Sequence, residues 1–293
     1  MALAMAIFGT IGIFRRMIPL SSAWVAFFRG AIGSLFLILF MLASRKSGRR
    51  KEHSTVDTVK LVITGALIGV NWALLFEAYN LTSVSIATLC YYMQPTFVII
   101  MSCVFLRERL TLVKAVCAVT SLTGMVLISG VIAPGQDGGV SFSGLFAGSG
   151  LSGEALGIIL ALAAGGMYAT EVILNKTITG FDPYHKTAIQ LVSATVVLIP
   201  FLILRDGAPD VKWDITLIAL LITVGVIHTG LCYTIYFGTM EKLKTHTIAL
   251  FSYIDPLTAL VLSNVILHEE LTFLGIFGGV LILGSAIISG LKE

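Results

Sequence analysis

Residues 85–111 have the sequence SIATLCYYMQPTFVIIMSCVFLRERLT, and residues 246–272 have the sequence HTIALFSYIDPLTALVLSNVILHEELT. The two stretches align without a gap at an offset of 161 residues. Their identical positions in the first copy are Leu89, Tyr92, Pro95, Ser102, Val104, Leu106, Glu108, Leu110 and Thr111. Each copy is apolar, long enough to cross a bilayer and interrupted by a central proline. Such a duplicated segment is typical of transporters built from repeats, whose binding site lies between the repeats.

The composition excludes a soluble globular protein. Hydrophobic residues make up 57% of the 293 residues, and charged residues only 12%. A soluble domain carries about 25% charged residues. The four cysteines all lie inside apolar runs without metal-ligand spacing, so we expect them to be packing residues. The chain is therefore expected to fold within a lipid bilayer, with no bound metal.

Apolar runs of about 20 residues cross the hydrocarbon core of a bilayer. The chain has ten such runs, which predict an all-α integral membrane protein with ten transmembrane helices. The predicted spans are residues 1–14, 22–43, 60–78, 84–106, 110–132, 154–175, 184–204, 214–238, 247–267 and 271–290. The first is short, so we expect either that residues 15–18 extend it or that the natural chain begins upstream.

The spans divide into two halves of five. Residues 1–132 form the first predicted repeat, and residues 154–293 form the second. Between them, residues 133–153 contain Pro134 and seven glycines, which predicts a connector. Because five is an odd number, the two halves must cross the membrane in opposite directions. The sequence therefore predicts two inverted five-helix repeats.

The distribution of lysine and arginine predicts the orientation, because cytoplasmic loops are enriched in both. With a cytoplasmic N-terminus, the inner loops and C-terminal tail hold fourteen of these residues. The outer loops hold four, which are Arg15, Arg16, Arg205 and Lys212. We therefore expect both termini and residues 44–59 to be cytoplasmic and residues 133–153 to be external. The expected location is the inner membrane of a bacterial cell.

Ionisable residues inside the predicted spans are candidates for the functional site, because burying charge in a membrane is costly. Arg29 is either a structural arginine or an anchor for a carboxylate or phosphate. Glu77 either reaches interfacial water or pairs with Arg29. Glu171 has a structural and a functional interpretation of equal weight. His228 is either a packing residue or a proton carrier, because its reference pKa lies near neutrality.

The two mid-span prolines mark a second group of candidates. Asp255 immediately precedes Pro256, and Gln94 and Pro95 occupy the same places in the first copy. A proline removes a backbone donor and interrupts the helix, which is tolerated at mid-depth where the break lines a cavity or is buried in protein. We expect these four residues to face a solute cavity across a pseudo-two-fold axis. The alternative is a kink in which the aspartate is only hydrogen-bonded.

Aromatic and amide residues accumulate near these positions. They are Asn71, Trp72, Tyr92, Tyr168, Tyr233 and Tyr253. Such a lining suits a mixed polar and apolar solute, for example an amino acid or a nucleobase-like metabolite. The alternative is that some of these rings face lipid or the membrane interface.

The chain resembles the EamA family of the drug/metabolite transporter superfamily. The residues that carry the resemblance are Phe8-Gly9-Thr10, Phe28-Arg29, the two proline-containing spans, and the Leu-x-Glu-x-Leu turns at Leu106–Leu110 and Leu267–Leu271. The resemblance implies ten helices with an inverted pseudo-two-fold axis around a central cavity. It also implies movement of small metabolites, often export, by alternating access.

These observations predict a secondary transporter of small organic solutes and not an enzyme. The expected partners are the lipid bilayer and a small solute, and protons are a candidate coupling ion. No phosphate-binding loop is present, so ATP is not expected as a cofactor. The basic run Arg45–Lys51 lies beside a span, where its topogenic role suffices, so no nucleic acid is expected. The alternatives are an intramembrane enzyme acting on a lipid-linked substrate, and a channel.

Overall fold

The structure is a computed structural model. It describes residues 1–43, 54–105, 111–128, 133–134, 140–141, 146–147, 150–178, 180–240, 251, 254–269 and 272–291. The helices of the first half are α1 (Ala2–Gly9), α2 (Ile11–Met17), α3 (Ser22–Ala43), α4 (Thr55–Leu81), α5 (Val84–Tyr91), α6 (Gln94–Phe105) and α7 (Leu112–Ile128). Those of the second half are α8 (Gly153–Lys176), α9 (Pro183–Phe201), π1 (Leu202–Asp206), α10 (Ile215–Ile222), π2 (Thr223–Leu231), α11 (Cys232–Met240), α12 (Ile254–Leu267) and α13 (Phe273–Leu291), where π1 and π2 are π-helices.

The prediction of an integral membrane protein rich in helices is confirmed. Six helical segments of the described chain are long and apolar enough to cross a bilayer: Ser22–Ala43, Thr55–Leu81, Val84–Phe105, Gly153–Lys176, Pro183–Leu204 and Ile215–Tyr236. Three shorter apolar helices are Ala115–Leu127, Ile254–Leu267 and Phe273–Ser285. The described part of the connector forms two short antiparallel pairs, Ala133–Pro134 with Val140–Ser141 and Phe146–Ala147 with Gly150–Leu151.

Helix starts are set by side chains that cap the free backbone N–H groups of the first turn. The hydroxyls of Ser54, Ser83 and Ser152 accept hydrogen bonds from the first turns of α4, α5 and α8. The carboxylates of Asp182 and Asp214 do the same for α9 and α10. The cap at Ser54 explains why α4 begins earlier than the predicted span at residue 60.

The fourth span is broken where its proline predicts a break. Helix α5 ends at Tyr91 and α6 begins at Gln94, so the interruption lies just before Pro95. Proline has no N–H to donate to the carbonyl four residues earlier, which is that of Tyr91. In the second half, α12 begins at Ile254, and residues 252–253, just before it, lie outside the described residues.

Helices from the two halves interdigitate. Helix α4 packs against α8 and α9, and α3 packs against α9 and π2. Helix α1 lies along α12, which also contacts α5, while α7 and α13 pair with each other. The buried core contains Trp72, Phe76 and Tyr79 of α4 together with Leu191 and Leu198 of α9. This arrangement surrounds the middle of the bundle with helices from both halves.

Glycines set the close approach of α4 to α9. A Cβ atom added at Gly65 would lie 2.5 Å from the carbonyl oxygen of Gln190, and one added at Gly69 would lie 2.4 Å from that of Ala194. These distances are shorter than van der Waals contact, so the two backbones touch only because both residues lack a side chain. Small residues play this role widely in membrane helix packing.

Replacing Gly69 by alanine should therefore destabilise the fold. We expect Gly69→Ala to cost about 1–3 kcal/mol, the usual range for overpacking, and to lower the unfolding temperature of the detergent-purified protein. Gly166→Ala is the matched control, because a Cβ atom at Gly166 would meet nothing within 4 Å. Equal unfolding temperatures for the two variants would contradict the proposed contact.

Candidate functional site

A cavity of about 830 Å³ lies between the two halves. Side chains from α1 to α6 and from α8, α9, α11 and α12 line it. At one end its wall contains the buried Tyr79 and Thr88. At the other end it reaches the turn between α8 and α9, where Lys176 is exposed. The cavity therefore opens towards the α8–α9 turn and is closed towards the α4–α5 turn.

Arg29 projects from the first half of α3, two turns after its start, into this cavity and is only 6% exposed. Its Nε donates a hydrogen bond to the Thr229 Oγ1 at 3.0 Å. Its Cζ lies 4.2 Å from the centroid of the Trp72 ring, which is a cation–π contact. No carboxylate of the described residues lies within the 4 Å of an ion pair with Arg29. The positive charge is thus held by a hydroxyl and a ring face.

A carboxylate occupies the same cavity. Asp255 stands in the first turn of α12, and its side chain is hydrogen-bonded to Tyr92. Gln94, which occupies the equivalent place in α6, also lines the cavity, and its Oε1 is buried without a hydrogen-bond partner among the described residues. Helix α1 closes over this region through Gly9, where a Cβ atom would lie 2.4 Å from the Asp255 carbonyl oxygen.

A polar cluster forms the wall near the mouth. Asn175 donates a hydrogen bond to the Glu171 carboxylate one helical turn earlier. The Asn175 side-chain oxygen accepts from Gln190 Nε2 at 3.1 Å, and its backbone oxygen accepts from Lys186 Nζ at 3.3 Å. Glu171 is thus fixed by its own helix, while Lys186 and Gln190 of α9 join the cluster from across the cavity.

Aromatic rings complete the wall between the mouth and the closed end. The ring centroids of Tyr91 and Tyr168 are 6.2 Å apart, and those of Tyr91 and Tyr92 are 6.0 Å apart. Tyr233 packs against Phe8 with a centroid distance of 5.6 Å. These rings offer faces for apolar groups or cations, together with hydroxyls for hydrogen bonding.

The structure gathers most of the predicted site residues in this cavity. Those that line it are Arg29, Asn71, Trp72, Tyr92, Gln94, Tyr168, Glu171, Tyr233 and Asp255. Pro256 is buried in α12. The side chain of Pro95 and the whole of Tyr253 lie outside the described residues.

Two predicted residues lie elsewhere. His228 is buried beside the cavity, where its Nε2 is 2.7 Å from the Thr10 Oγ1 and its ring meets the edge of Phe14. Glu77 does not pair with Arg29: its carboxylate accepts hydrogen bonds from Ser22 at 2.5 Å and Asn80 at 3.1 Å. These contacts give both residues partners outside the solute cavity.

Beyond the closed end of the cavity, Glu269 joins three elements. Its carboxylate accepts hydrogen bonds from the backbone N–H groups of Val84 at 2.9 Å and Ser85 at 3.2 Å, at the start of α5. Arg16 lies 3.5 Å from the same carboxylate and donates to the Thr82 carbonyl oxygen at 2.8 Å. A carboxylate at a helix N-terminus is stabilised by the helix dipole as well as by these donors. We call this group the Glu269 clasp.

Sequence reasoning missed Thr229, Lys186 and Gln190. Thr229 is a neutral residue in an apolar run, and its role depends on a π-helix that no residue pattern predicts. Lys186 and Gln190 lie near the start of the seventh predicted span, where polar residues are ordinary. Their spacing of four residues on one helix face is the signal that could have placed them together.

A sequence model of the EamA-like transporter family matches residues 1–130 and 155–291. The chain belongs to this family. An uncharacterized transporter of Bacillus subtilis (strain 168), YxxF, is 30% identical over 285 residues, covering 95% of this chain and 86% of the relative. Protein PecM of Dickeya dadantii (strain 3937) is 28% identical over 232 residues, covering 78% of this chain and 72% of PecM.

A solved crystal structure has the same fold, with a TM-score of 0.65 at 16% identity over 99% of this chain and 94% of that one. At this identity the likeness concerns the fold alone. The family, the named relatives and the long apolar helices together identify the chain as a membrane transporter of the drug/metabolite type.

The Glu269 clasp predicts that this EamA-like transporter loses stability when the carboxylate is removed. Glu269→Ala leaves two backbone N–H groups and Arg16 without their shared acceptor, which should cost about 1–3 kcal/mol and lower the unfolding temperature in detergent. Asp210→Ala is the control, because Asp210 is exposed. An unfolding temperature of Glu269→Ala equal to that of the control would show that the clasp contributes nothing to stability.

Proposed function

We propose that the protein is a secondary transporter that exports small amphoteric organic solutes, such as amino acids, by alternating access. One observation carries the proposal: a guanidinium, Arg29, and a carboxylate, Asp255, line a single cavity whose wall is otherwise largely aromatic and apolar. The fork of Arg29 suits a solute carboxylate. Asp255 and the tyrosine faces suit an ammonium group.

We further propose that the fold consists of ten spans in two inverted repeats, residues 1–132 and 154–293, joined by the connector 133–153. Helix boundaries support this, because the 161-residue offset relates the start of α3 to that of α9 and the start of α7 to that of α13. The helix contacts support it as well. The offset maps α1 onto α8 and α6 onto α12, and the contact of α1 with α12 has its counterpart in the contact of α8 with α6. In the same way, the contact of α4 with α9 has its counterpart in the contact of π2 with α3.

The cavity lining follows the same relationship. In five pairs of positions 161 residues apart, both members line the cavity. These pairs are Ile11 with Val172, Arg29 with Gln190, Trp72 with Tyr233, Leu75 with Tyr236, and Gln94 with Asp255. Inverted repeats place equivalent mid-membrane positions around a shared axis, where transporters bind their solute. This pairing supports a binding site between the repeats.

In export a solute enters from the cytoplasm, and the open end of the cavity fits that first step. The α8–α9 turn belongs to the side with the excess of lysine and arginine in the sequence, which is the cytoplasmic side by the positive-inside rule. A solute would therefore enter from the cytoplasm in the observed state. The Glu269 clasp lies on the opposite side and would close the external exit until the transporter changes conformation.

Uptake into proteoliposomes tests the function. The purified protein is reconstituted and offered a panel of labelled amino acids, with and without a proton gradient. Saturable uptake with counterflow exchange is expected for a carrier. Uptake that rises linearly with concentration indicates a channel, and chemical conversion of a lipid-linked substrate indicates an intramembrane enzyme; either result would overturn the proposal.

Protons are the proposed coupling ion, with Asp255 as the group that carries them. A carboxylate inside the membrane is costly unless its charge is balanced. The Tyr92 hydroxyl is a neutral partner of Asp255, so we propose that a proton or the solute amine neutralises the carboxylate. Asp255→Asn keeps the shape of the side chain and removes its titration. We expect this variant to lose gradient-driven uptake almost completely while retaining counterflow exchange. Gradient-driven uptake equal to that of the parent would exclude Asp255 from coupling.

The orientation predicts which loops react with a membrane-impermeant reagent. In a variant without the four native cysteines, Ser143→Cys in the connector should be labelled by an impermeant maleimide in intact cells. Ser47→Cys, in the basic segment 44–59, should be labelled only after the cells are opened. The reverse pattern would place both termini outside and turn the cavity mouth to the exterior.

A further inference from the structure

The nitrogen atoms of Arg29 are not equivalent in the structure. Nε donates to the Thr229 Oγ1 at 3.0 Å, and the guanidinium plane lies over the Trp72 ring. The hydrogen bonds among the described residues use neither of the two Nη atoms. The side edge of the guanidinium is therefore occupied by the protein, while the end edge, formed by Nη1 and Nη2, remains for a ligand in the cavity.

Thr229 is itself held in one orientation. It is fully buried, and its hydroxyl donates to the Val224 carbonyl oxygen at 3.2 Å. Because that bond uses the only hydroxyl proton, a lone pair is left to accept from Arg29. The Val224 carbonyl lies five residues earlier, the spacing that the π-helix π2 provides, and π-helices are frequent at functional sites.

Close packing brings Thr229 directly against α3. A Cβ atom added at Gly33, one turn after Arg29, would lie 2.5 Å from the Thr229 Cγ2. A Cβ atom at Gly225 of π2 would lie 2.4 Å from the Ile32 Cβ. Each helix thus presents a glycine to a side chain of the other, which fixes the position of Thr229 relative to Arg29.

We infer that Thr229 is a positioning residue that presents only the end edge of Arg29 to the solute and thereby selects a carboxylate over a neutral amide or a phosphate dianion. A carboxylate matches the two Nη donors with its two oxygens. A phosphate dianion would need a second cation, but the cavity lysines of the described chain, Lys176 and Lys186, lie at the mouth, and Asp255 would repel it. This inference rests on the proposed role of Arg29 as solute anchor.

Trp72 provides a direct readout, because it lies beneath Arg29 and the chain has only three tryptophans. In a Trp24→Phe/Trp213→Phe background, Trp72 is the only indole. Its fluorescence is followed during titration with benzoate, benzamide and phenyl phosphate, three probes that share a ring and differ in the group offered to Arg29. We expect saturable binding of benzoate and at least about tenfold weaker binding of the other two.

The variants separate positioning from folding. Thr229→Val removes the acceptor at nearly constant volume and should weaken benzoate binding about tenfold, the effect of losing a hydrogen bond to a charged group. Thr229→Ser keeps the hydroxyl and should bind benzoate within about threefold of the parent. Thr229→Ala serves if the valine variant does not fold. Thr195→Val is the matched control, because Thr195 also packs on a glycine of α3, Gly30, while its hydroxyl donates to the Leu191 carbonyl oxygen.

The outcomes distinguish this inference from the proposed function. In one outcome, Arg29→Ala abolishes benzoate binding, but Thr229→Val and Thr229→Ala still bind benzoate and reject benzamide as the parent does. That outcome excludes the positioning role of Thr229 and leaves Arg29 as the solute anchor. If Arg29→Ala binds benzoate as tightly as the parent, Arg29 is not the anchor and both ideas fail. Loss of selectivity in both Thr229→Val and Thr229→Ala, with Thr229→Ser and Thr195→Val unchanged, is the result that supports the inference.

Discussion

A guanidinium inside a membrane-spanning helix constrains everything around it. Arg29 lies two turns into α3, inside a membrane-spanning helix, where an unpartnered charge would cost several kcal/mol. The protein meets this cost chiefly with the Thr229 hydroxyl and the Trp72 ring, and the Phe76 ring of the same helix lies 5.7 Å from the Arg29 Cζ. No carboxylate of the described residues lies within ion-pair distance. These two partners require α4 to approach α3 and require π2 to turn Thr229 inward. The glycine contacts between α3 and π2 follow from the same requirement.

Polar groups are treated differently at the two ends of the molecule. Beyond the closed end of the cavity, Glu269 receives backbone donors from Val84 and Ser85 and a charge partner from Arg16, so its hydrogen-bonding capacity is used within the protein. In the cavity, Gln94 Oε1 has no partner among the described residues, and the Nη atoms of Arg29 donate none of their hydrogen bonds. Buried polar atoms are rarely left unpaired without a reason. The Nη atoms of Arg29 are the ones that the proposed solute would use. Gln94 Oε1 is buried, as are the equally unpartnered Arg15 Nε and Thr82 Oγ1, whose residues do not line the cavity.

The sequence was sufficient for the membrane class, for most helix positions and for the family, because hydropathy, capping residues and proline act locally. The repeat also directed attention to Gln94 and Asp255, and the cost of buried charge to Arg29; all three line the cavity, and their role there stays a prediction. It did not reveal Thr229, whose position depends on the wider hydrogen-bond spacing of the π-helix π2. It also did not reveal that Glu77 lies apart from Arg29. Both depend on which helix faces which, a three-dimensional relation that span counting does not contain.

The charge pattern explains how binding can be linked to movement of the two halves. Equivalent positions have diverged so that the cation, Arg29, belongs to the first half and the anion, Asp255, to the second, while their counterparts Gln190 and Gln94 are neutral. In the proposed mechanism, an amphoteric solute would bridge the two charges and neutralise both. With solute bound, the cavity could then close without burying the unbalanced charges of Arg29 and Asp255. Without solute, closure would either bury a charged Asp255 or require Asp255 to take up a proton. Movement between the two open states would therefore require either the solute or a proton, which is the condition for coupled transport by a single site.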